Sequence, residues 1–306
     1  MKKNCIMYRQ TYKKGETMEF LELLKVIILG IVEGITEWLP VSSTGHILLL
    51  EHVWPLEQSD AFKNVFVYFV QAGAILSVVV LYFKKLCPFK IGVKEPSIEA
   101  NTDGERIPAP TKRLYSDKQT WVLWAKIAVA CIPALVGIFV DMPDEPAIIA
   151  AMLIFYGVAF ILVETLFKRK SKVESVHQIT WAQALIIGVA QALSIIPGTS
   201  RSGVTILAAL LLGISRPAGA EFTFFLGIPV ILGASFLKIV KYGLGFSGYE
   251  YIYLLTGFLV AFAASMLCIK LLMRFVQKHR FTVFGWYRIA LGALVLGVLV
   301  IPKLFS

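Results

Sequence analysis

The chain has 306 residues, 57 % of them hydrophobic and 16 % charged, with a mean hydropathy of +0.73; a soluble domain of this length is excluded, and lipid is the expected solvent. The net charge of +10 falls in loops between apolar runs, where Lys and Arg gather in membrane proteins, which excludes nucleic acid as the partner. The four cysteines, Cys5, Cys87, Cys131 and Cys268, show no CxxC spacing and define no disulfide framework.

Residues 1–17 are basic but lead into no apolar core with a small-residue cleavage site, so they are not a secretory signal. Met18 opens a natural membrane-protein start, and the segment before it reads as an extension, either non-native or from an alternative start. A helix needs about 20 apolar residues to cross a bilayer. Six runs qualify, at 65–83, 121–140, 147–167, 222–240, 251–273 and 284–305. Two further regions, 23–54 and 181–214, are apolar at both ends but broken by Pro40-Val-Ser-Ser-Thr-Gly-His46 and Pro197-Gly-Thr-Ser-Arg-Ser-Gly203. Irregular backbone at membrane depth survives only inside protein or beside a water-filled cavity, so each region is expected to be a re-entrant helical hairpin. The competing reading makes each first arm a minimal full span ending in an ordinary loop.

Set against each other on their prolines, the breaks pair Pro40 with Pro197, Ser42 with Thr199 and Ser43 with Ser200; Gly30-Ile-Val-Glu33 and Gly188-Val-Ala-Gln191 precede them. Each half is one hairpin followed by three spans: 18–170 is the first repeat and 171–306 the second. A hairpin returns to its own side and three spans do not, so the second half is inverted. The expected fold is an all-α polytopic membrane protein with inverted-topology repeats, six full transmembrane helices and two re-entrant hairpins, its ligand at the repeat interface. The loops at 83–120, 168–180, 215–221 and 274–283 carry Lys84, Lys85, Arg113, Lys168, Arg169, Lys170, Arg274 and Arg280, which marks that side as cytoplasmic. Opposite loops hold Lys63 and Lys241 with Glu57, Asp60, Asp141, Asp144 and Glu145, so the first hairpin enters from outside. The basic tail would then lie outside, against the rule, a further reason to set residues 1–17 apart.

Glu33 and Glu37 are four apart on one face of the first arm, and two carboxylates away from water share a proton or hold a cation. Ser42, Ser43 and Thr44 supply hydroxyls, and His46 an imidazole that titrates near neutrality; Ser42 or Thr44 is expected to cap the second arm. Arg201 is the charged residue of the second break, flanked by Ser200 and Ser202 and followed by Thr205. Its guanidinium can grip a phosphoryl group, with Gly198 and Gly203 letting the backbone approach, or it pairs with Glu33 or Glu37. Gln71 either faces the same cavity or bonds a neighbouring helix. Lys126, Glu164, Lys238, Lys270 and Arg288 lie near span ends and are expected to snorkel, with no role in catalysis.

These motifs resemble those of the bacterial undecaprenyl-diphosphate phosphatases of the bacitracin-resistance type. An acidic ExxxE helix followed by PxSSTGH is matched at Glu33, Glu37, Pro40, Ser42, Ser43, Thr44, Gly45 and His46, and PGxSRSxxT at Pro197, Gly198, Ser200, Arg201, Ser202 and Thr205. The resemblance runs from about residue 18 to the C-terminus; the N-terminal extension and a long polar loop at 90–118 depart from it. It implies an integral phosphatase in the bacterial cytoplasmic membrane, with the site opening to the external face, that converts undecaprenyl diphosphate to undecaprenyl phosphate for cell-wall synthesis and so confers bacitracin resistance. It also implies a divalent cation, Mg2+ or Ca2+, which Glu33 and Glu37 would hold, and leaves a homodimer open. On this reading Arg201, Glu33, Glu37, Ser43 and His46 are catalytic, and Ser42, Thr44, Gly198, Thr199, Ser200, Ser202, Thr205 and Gln71 bind substrate. Whether Ser43 or His46 attacks stays open. A transporter or flippase shares the plan; the other integral lipid-phosphatase class needs a second His with a downstream Asp after the Ser-Arg pair, and none follows Arg201.

Overall fold

A computed structural model of the chain describes residues 2–94, 111–140, 142–166, 171–243 and 245–304. Lys168, Arg169, Lys170 and Asp141, and the last residues of the expected spans 147–167 and 284–305, lie outside them. In chain order come α1 (Lys2–Thr36), α2 (Ser43–Val53), α3 (Asp60–Leu81), a single turn α4 (Phe83–Leu86), strands β1 (Phe89–Lys94) and β2 (Thr111–Ser116), α5 (Lys118–Cys131), α6 (Pro146–Leu166), α7 (Trp181–Ala192), α8 (Arg201–Leu211), α9 (Arg216–Tyr242), α10 (Gly248–Lys278), α11 (Thr282–Val295) and a last turn α12 (Ile301–Leu304). Among the described residues six helical stretches are long and apolar enough to cross a membrane: Asp60–Leu81, Lys118–Gly137, Pro146–Leu166, Arg216–Tyr242, Gly248–Lys278 and Thr282–Val300. Each contains or overlaps one of the six runs expected from the sequence.

Two of these stretches are composite for local reasons. Pro133 has no N–H to give to the α-helical ladder, and α5 passes there into a tighter 3-10 helix over Ile132–Ile138. Ahead of Pro302 the last helix widens to a π-turn over Leu296–Val300, which makes room for the proline ring against the preceding turn. The helix α1 runs through residue 18 without a break, so no change of backbone marks the proposed extension. Part of the polar loop forms an antiparallel ladder, with Phe89 opposite Ser116 and Lys94 opposite Thr111, and Lys90 pairs with Asp117, the cap of α5.

Without a hydrophobic drive between helices in lipid, close backbone approach through small residues supplies the packing. A methyl added at Gly188 of α7 would stand 2.2 Å from the Ala130 carbonyl oxygen of α5, and one at Gly73 of α3 would stand 2.3 Å from that of Phe258 in α10. The helices α6 and α11 meet in the same way through Gly157 and Gly285. The apolar core between the helices includes Phe62, Phe160, Phe222, Phe224 and Phe225, all fully buried.

This packing gives a paired expectation. Gly188→Ala should lower the melting temperature in detergent by the equivalent of about 1–3 kcal/mol, as overpacked cores do. Gly233→Ala, on the same kind of helix but with nothing within 4 Å of the added carbon, should be neutral or stabilising by about 0.5–1 kcal/mol. Equal shifts in the two proteins would refute the close-packing account.

Candidate active site

Both regions read as hairpins are broken where the polar motifs stand. The first arm α1 ends at Thr36 and α2 starts at Ser43; α7 ends at Ala192, a 3-10 turn covers Leu193–Ile195, and α8 starts at Arg201. Ser42 and Ser200, the residues immediately before α2 and α8, have φ of 72° and 65° and are the non-glycine residues with positive φ among those described. That conformation costs an L-residue of order 1–3 kcal/mol and persists where the surroundings over-determine it, characteristically at functional sites. The coincidence also corrects the pairing of the breaks. Gly30 with Gly188, Glu33 with Gln191, Ser42 with Ser200 and Gly45 with Gly203 keep one constant spacing, so the structural partner of Ser42 is Ser200 rather than Thr199, and Ser43 answers to Arg201.

The two breaks meet. Arg201 Nη2 donates to Glu37 Oε1 at 3.1 Å, Ser43 Oγ donates to Glu37 Oε2 at 3.1 Å, and Ser202 Oγ donates to the Leu39 carbonyl at 3.2 Å. Arg201 lies against α9 at Gly227, where an added methyl would stand 2.1 Å from Nη1. Trp38, fully buried, stands edge-on to Phe224 of the same helix at 5.3 Å. The sequence reading missed Gly227, a glycine in an apolar helix that carries no signal without its neighbour.

Several buried polar atoms here have no hydrogen-bond partner among the described residues: both oxygens of Glu33, both amide atoms of Gln191, the hydroxyls of Ser42 and Thr199, and Nε and Nη1 of Arg201. A buried orphan of this kind calls for a ligand, a proton or water. Glu33 is 1 % exposed, with Glu37, Gln71 and Arg201 as polar neighbours, which places Gln71 at the site. Glu37 already shares its oxygens between Arg201 and Ser43, so Glu33 is the carboxylate with oxygens free for a cation. Among the described residues no three His, Cys, Asp or Glu side chains form a metal cage.

The remaining predicted residues divide. His46 Nδ1 lies 2.8 Å from the Ser42 carbonyl and Nε2 lies 2.7 Å from the Tyr287 hydroxyl, with the rings stacked at 5.6 Å. A carbonyl only accepts, so Nδ1 carries the proton and the neutral ring takes the Tyr287 proton at Nε2. Ser200 Oγ accepts from the Gly203 N–H and caps α8, whereas no side chain caps α2, against the expectation for Ser42 or Thr44. Thr205 donates to the Arg201 carbonyl and accepts from Thr223, so it braces Arg201 from behind. Thr44 is half-buried and Gly198, at φ 84°, packs against Ile149.

Three residues expected to snorkel do not. Lys126 is buried and donates to the His177 carbonyl, and buried Glu164 accepts from Arg216 and from the Phe281 N–H. Arg288 is 0 % exposed. Its guanidinium donates to Pro40 O at 3.2 Å in the first break and to Gly198 O and Thr199 O at 2.9 and 3.1 Å in the second. It also reaches Met152 O and Leu153 O, and lies over the Tyr156 ring. Its position near the start of the last apolar run made it look like an end residue; only the fold shows that two broken helices end on it. Lys238 does reach outward, over the rings of Tyr68 and Tyr242.

The two arginines should therefore fail differently. Arg288→Gln strands backbone carbonyls of both breaks and should lower the melting temperature and the activity together, since charged hydrogen bonds are worth about 1.5–3 kcal/mol each. Arg201→Lys keeps the charge, loses the planar fork, and should leave the melting temperature near that of the parent while kcat falls about 100-fold or more. An Arg288→Gln protein with normal melting and turnover would contradict the clamp.

The chain is similar to known proteins over most of its length. The family model described as bacitracin resistance protein BacA matches residues 26–294. The chain is 50 % identical over 286 residues to the undecaprenyl-diphosphatase of Enterococcus faecalis, covering 91 % of this chain and 98 % of that one. It is 48 % identical over 292 residues to the undecaprenyl-diphosphatase of Lachnoclostridium phytofermentans, covering 94 % and 100 %, and 46 % identical over 287 residues to undecaprenyl-diphosphatase 1 of Clostridium acetobutylicum, covering 91 % and 98 %. With the match spanning both breaks and the six apolar helices around them, this chain belongs to the bacitracin resistance protein BacA family.

Proposed function

We propose that the chain is a membrane phosphatase that hydrolyses undecaprenyl diphosphate to undecaprenyl phosphate and inorganic phosphate. The observation that carries this reading is the single carboxylate of Glu37 shared by a hydroxyl, Ser43, and a guanidinium, Arg201, from opposite breaks. Nucleophile and base stand within hydrogen-bond reach, and the cation beside them is held in a plane suited to phosphate. Ser43 Oγ gives its proton to Glu37 and attacks the terminal phosphorus; the bond from that phosphorus to the bridging oxygen breaks, and the lipid monophosphate leaves. Water then cleaves the serine phosphate and releases inorganic phosphate. Arg201 Nε and Nη1, without a partner among the described residues, take the equatorial oxygens, where charge builds up in the transition state. Glu33 would hold a divalent cation, which would supply positive charge to the leaving lipid monophosphate. His46, with both ring nitrogens engaged by Ser42 and Tyr287, orients the start of α2 and is the weaker choice of nucleophile.

The finer topology belongs to the same proposal. Matched breaks in constant register, each preceded by a helix and followed by a shorter one, support two re-entrant hairpins in inverted repeats. Loop charge supports a site open to the external face of the bacterial cytoplasmic membrane, where the lipid carrier would be recycled for cell-wall synthesis and bacitracin resistance would follow from depleting the diphosphate.

Purified protein should release phosphate from farnesyl diphosphate in detergent, where no gradient exists, and chelator should suppress the release. In rapid-quench single turnovers with label in the terminal phosphate, label should stay on the protein in His46→Ala and be absent in Ser43→Ala. An acid-labile label that disappears only in His46→Ala would transfer the nucleophile's role to the histidine, and no hydrolysis in detergent would favour a transporter.

A further inference from the structure

A second charged pocket lies away from the breaks, where α3 ends and α10 emerges. It is open, has a volume of about 280 Å³, and is lined by Leu81 and Tyr82 on one side and by Ile269, Lys270, Met273 and Arg274 on the other. Lys270 and Arg274 are one turn apart on the same face of α10, so the two cations repel each other unless an anion lies between them. Among the described residues neither side chain has a hydrogen-bond or ion-pair partner, and the pocket lining holds no carboxylate. The acidic neighbour of Tyr82 is Glu221, and Lys85 already holds it. The Tyr82 ring is fixed edge-on to Phe225 at 5.2 Å, and its hydroxyl likewise has no partner.

Depth identifies the anion. The uncharged run 251–269 of α10 is long enough, at about 1.5 Å per residue, to cross nearly all of a hydrocarbon core of about 30 Å. Lys270 and Arg274 follow it directly and so come out at the level of the lipid headgroups. The helix continues to Lys278, which keeps the pocket at the membrane surface rather than in a loop. Leu81, Ile269 and Met273 form an apolar floor that continues toward the acyl region.

We propose that this pocket is a binding site for an anionic phospholipid, its phosphodiester oxygens between Lys270 and Arg274, the Tyr82 hydroxyl as a further donor, and an acyl chain along the apolar floor. Basic pockets between membrane helices select negative headgroups in this way, at about 1 kcal/mol for each Lys or Arg near the surface. The site is independent of the Glu37–Arg201 centre and of the phosphatase reading.

The test is native mass spectrometry of full-length protein taken from nanodiscs of equal parts phosphatidylglycerol and phosphatidylcholine. The parent should retain phosphatidylglycerol in preference to phosphatidylcholine, and the double variant Lys270→Gln, Arg274→Gln should lose that preference by about tenfold or more. The double variant Lys238→Gln, Lys241→Gln, whose lysines lie over tyrosine rings, should retain phosphatidylglycerol as the parent does. Hydrolysis of farnesyl diphosphate by both variants in pure phosphatidylcholine nanodiscs reports that they are folded. Equal lipid retention by the parent and the Lys270, Arg274 variant would overturn the proposal. So would displacement of phosphatidylglycerol by millimolar inorganic phosphate, which would mean a site for free anions, or indifference to the headgroup's charge.

Discussion

A buried backbone that leaves the helix must find its hydrogen bonds within the protein, and here one guanidinium supplies them in both breaks. Arg288 gathers carbonyls from Pro40, Gly198 and Thr199, in two breaks that lie far apart in the chain. These carbonyls lie outside the helices, between α1 and α2 and between α7 and α8, and a buried cation satisfies them without any carboxylate partner. With the breaks tied together, the helices that follow, α2 and α8, start from one meeting point. Their first residues bring Ser43 and Arg201 to the same glutamate. Backbone carbonyls thus do for Arg288 what a counter-ion would do, and leave Glu33 and Glu37 to the other side of the site.

The front is asymmetric. In constant register Glu33 answers to Gln191 and Ser43 to Arg201, so the first half brings carboxylates and a hydroxyl, and the second an amide and a cation. Two copies of one local backbone, each entering a helix from a serine at positive φ, have been given opposite chemical tasks. Such division sets a cation, which suits an anionic group, beside a hydroxyl whose proton a carboxylate can accept. Gly227 gives Arg201 room, and Thr205 and Thr223 brace the helix it stands on.

Much of this was legible in the sequence because the lipid makes polar residues conspicuous. Glu33, Glu37, Ser43 and Arg201 stand out within apolar runs, and the six long runs are found as helices because length and hydropathy alone decide a span. Residues whose meaning depends on a neighbour were not legible. Arg288 looked like an interfacial cation because its distance from the end of a run is known from sequence and its inward direction is not. Glu164 and Lys126 were misread for the same reason, and their partners, Arg216 and the His177 carbonyl, lie on other elements. The pairing of the breaks slipped by one residue because proline was taken as the anchor; the backbone is anchored by the serines that precede α2 and α8. The small ladder of β1 and β2 escaped notice because a short polar hairpin carries little hydrophobic periodicity.

The account rests on one contact between the breaks, that of Arg201 with Glu37, and a double-mutant cycle measures it. Glu37→Gln, Arg201→Gln and the double variant should be compared for kcat/KM on farnesyl diphosphate, with melting temperatures recorded alongside. Residues that act as one unit are strongly non-additive, so the double variant should be scarcely slower than the worse single one, with a coupling energy of about 1 kcal/mol or more. Losses that simply multiply would mean that the two side chains work apart, and that the breaks do not form a single site.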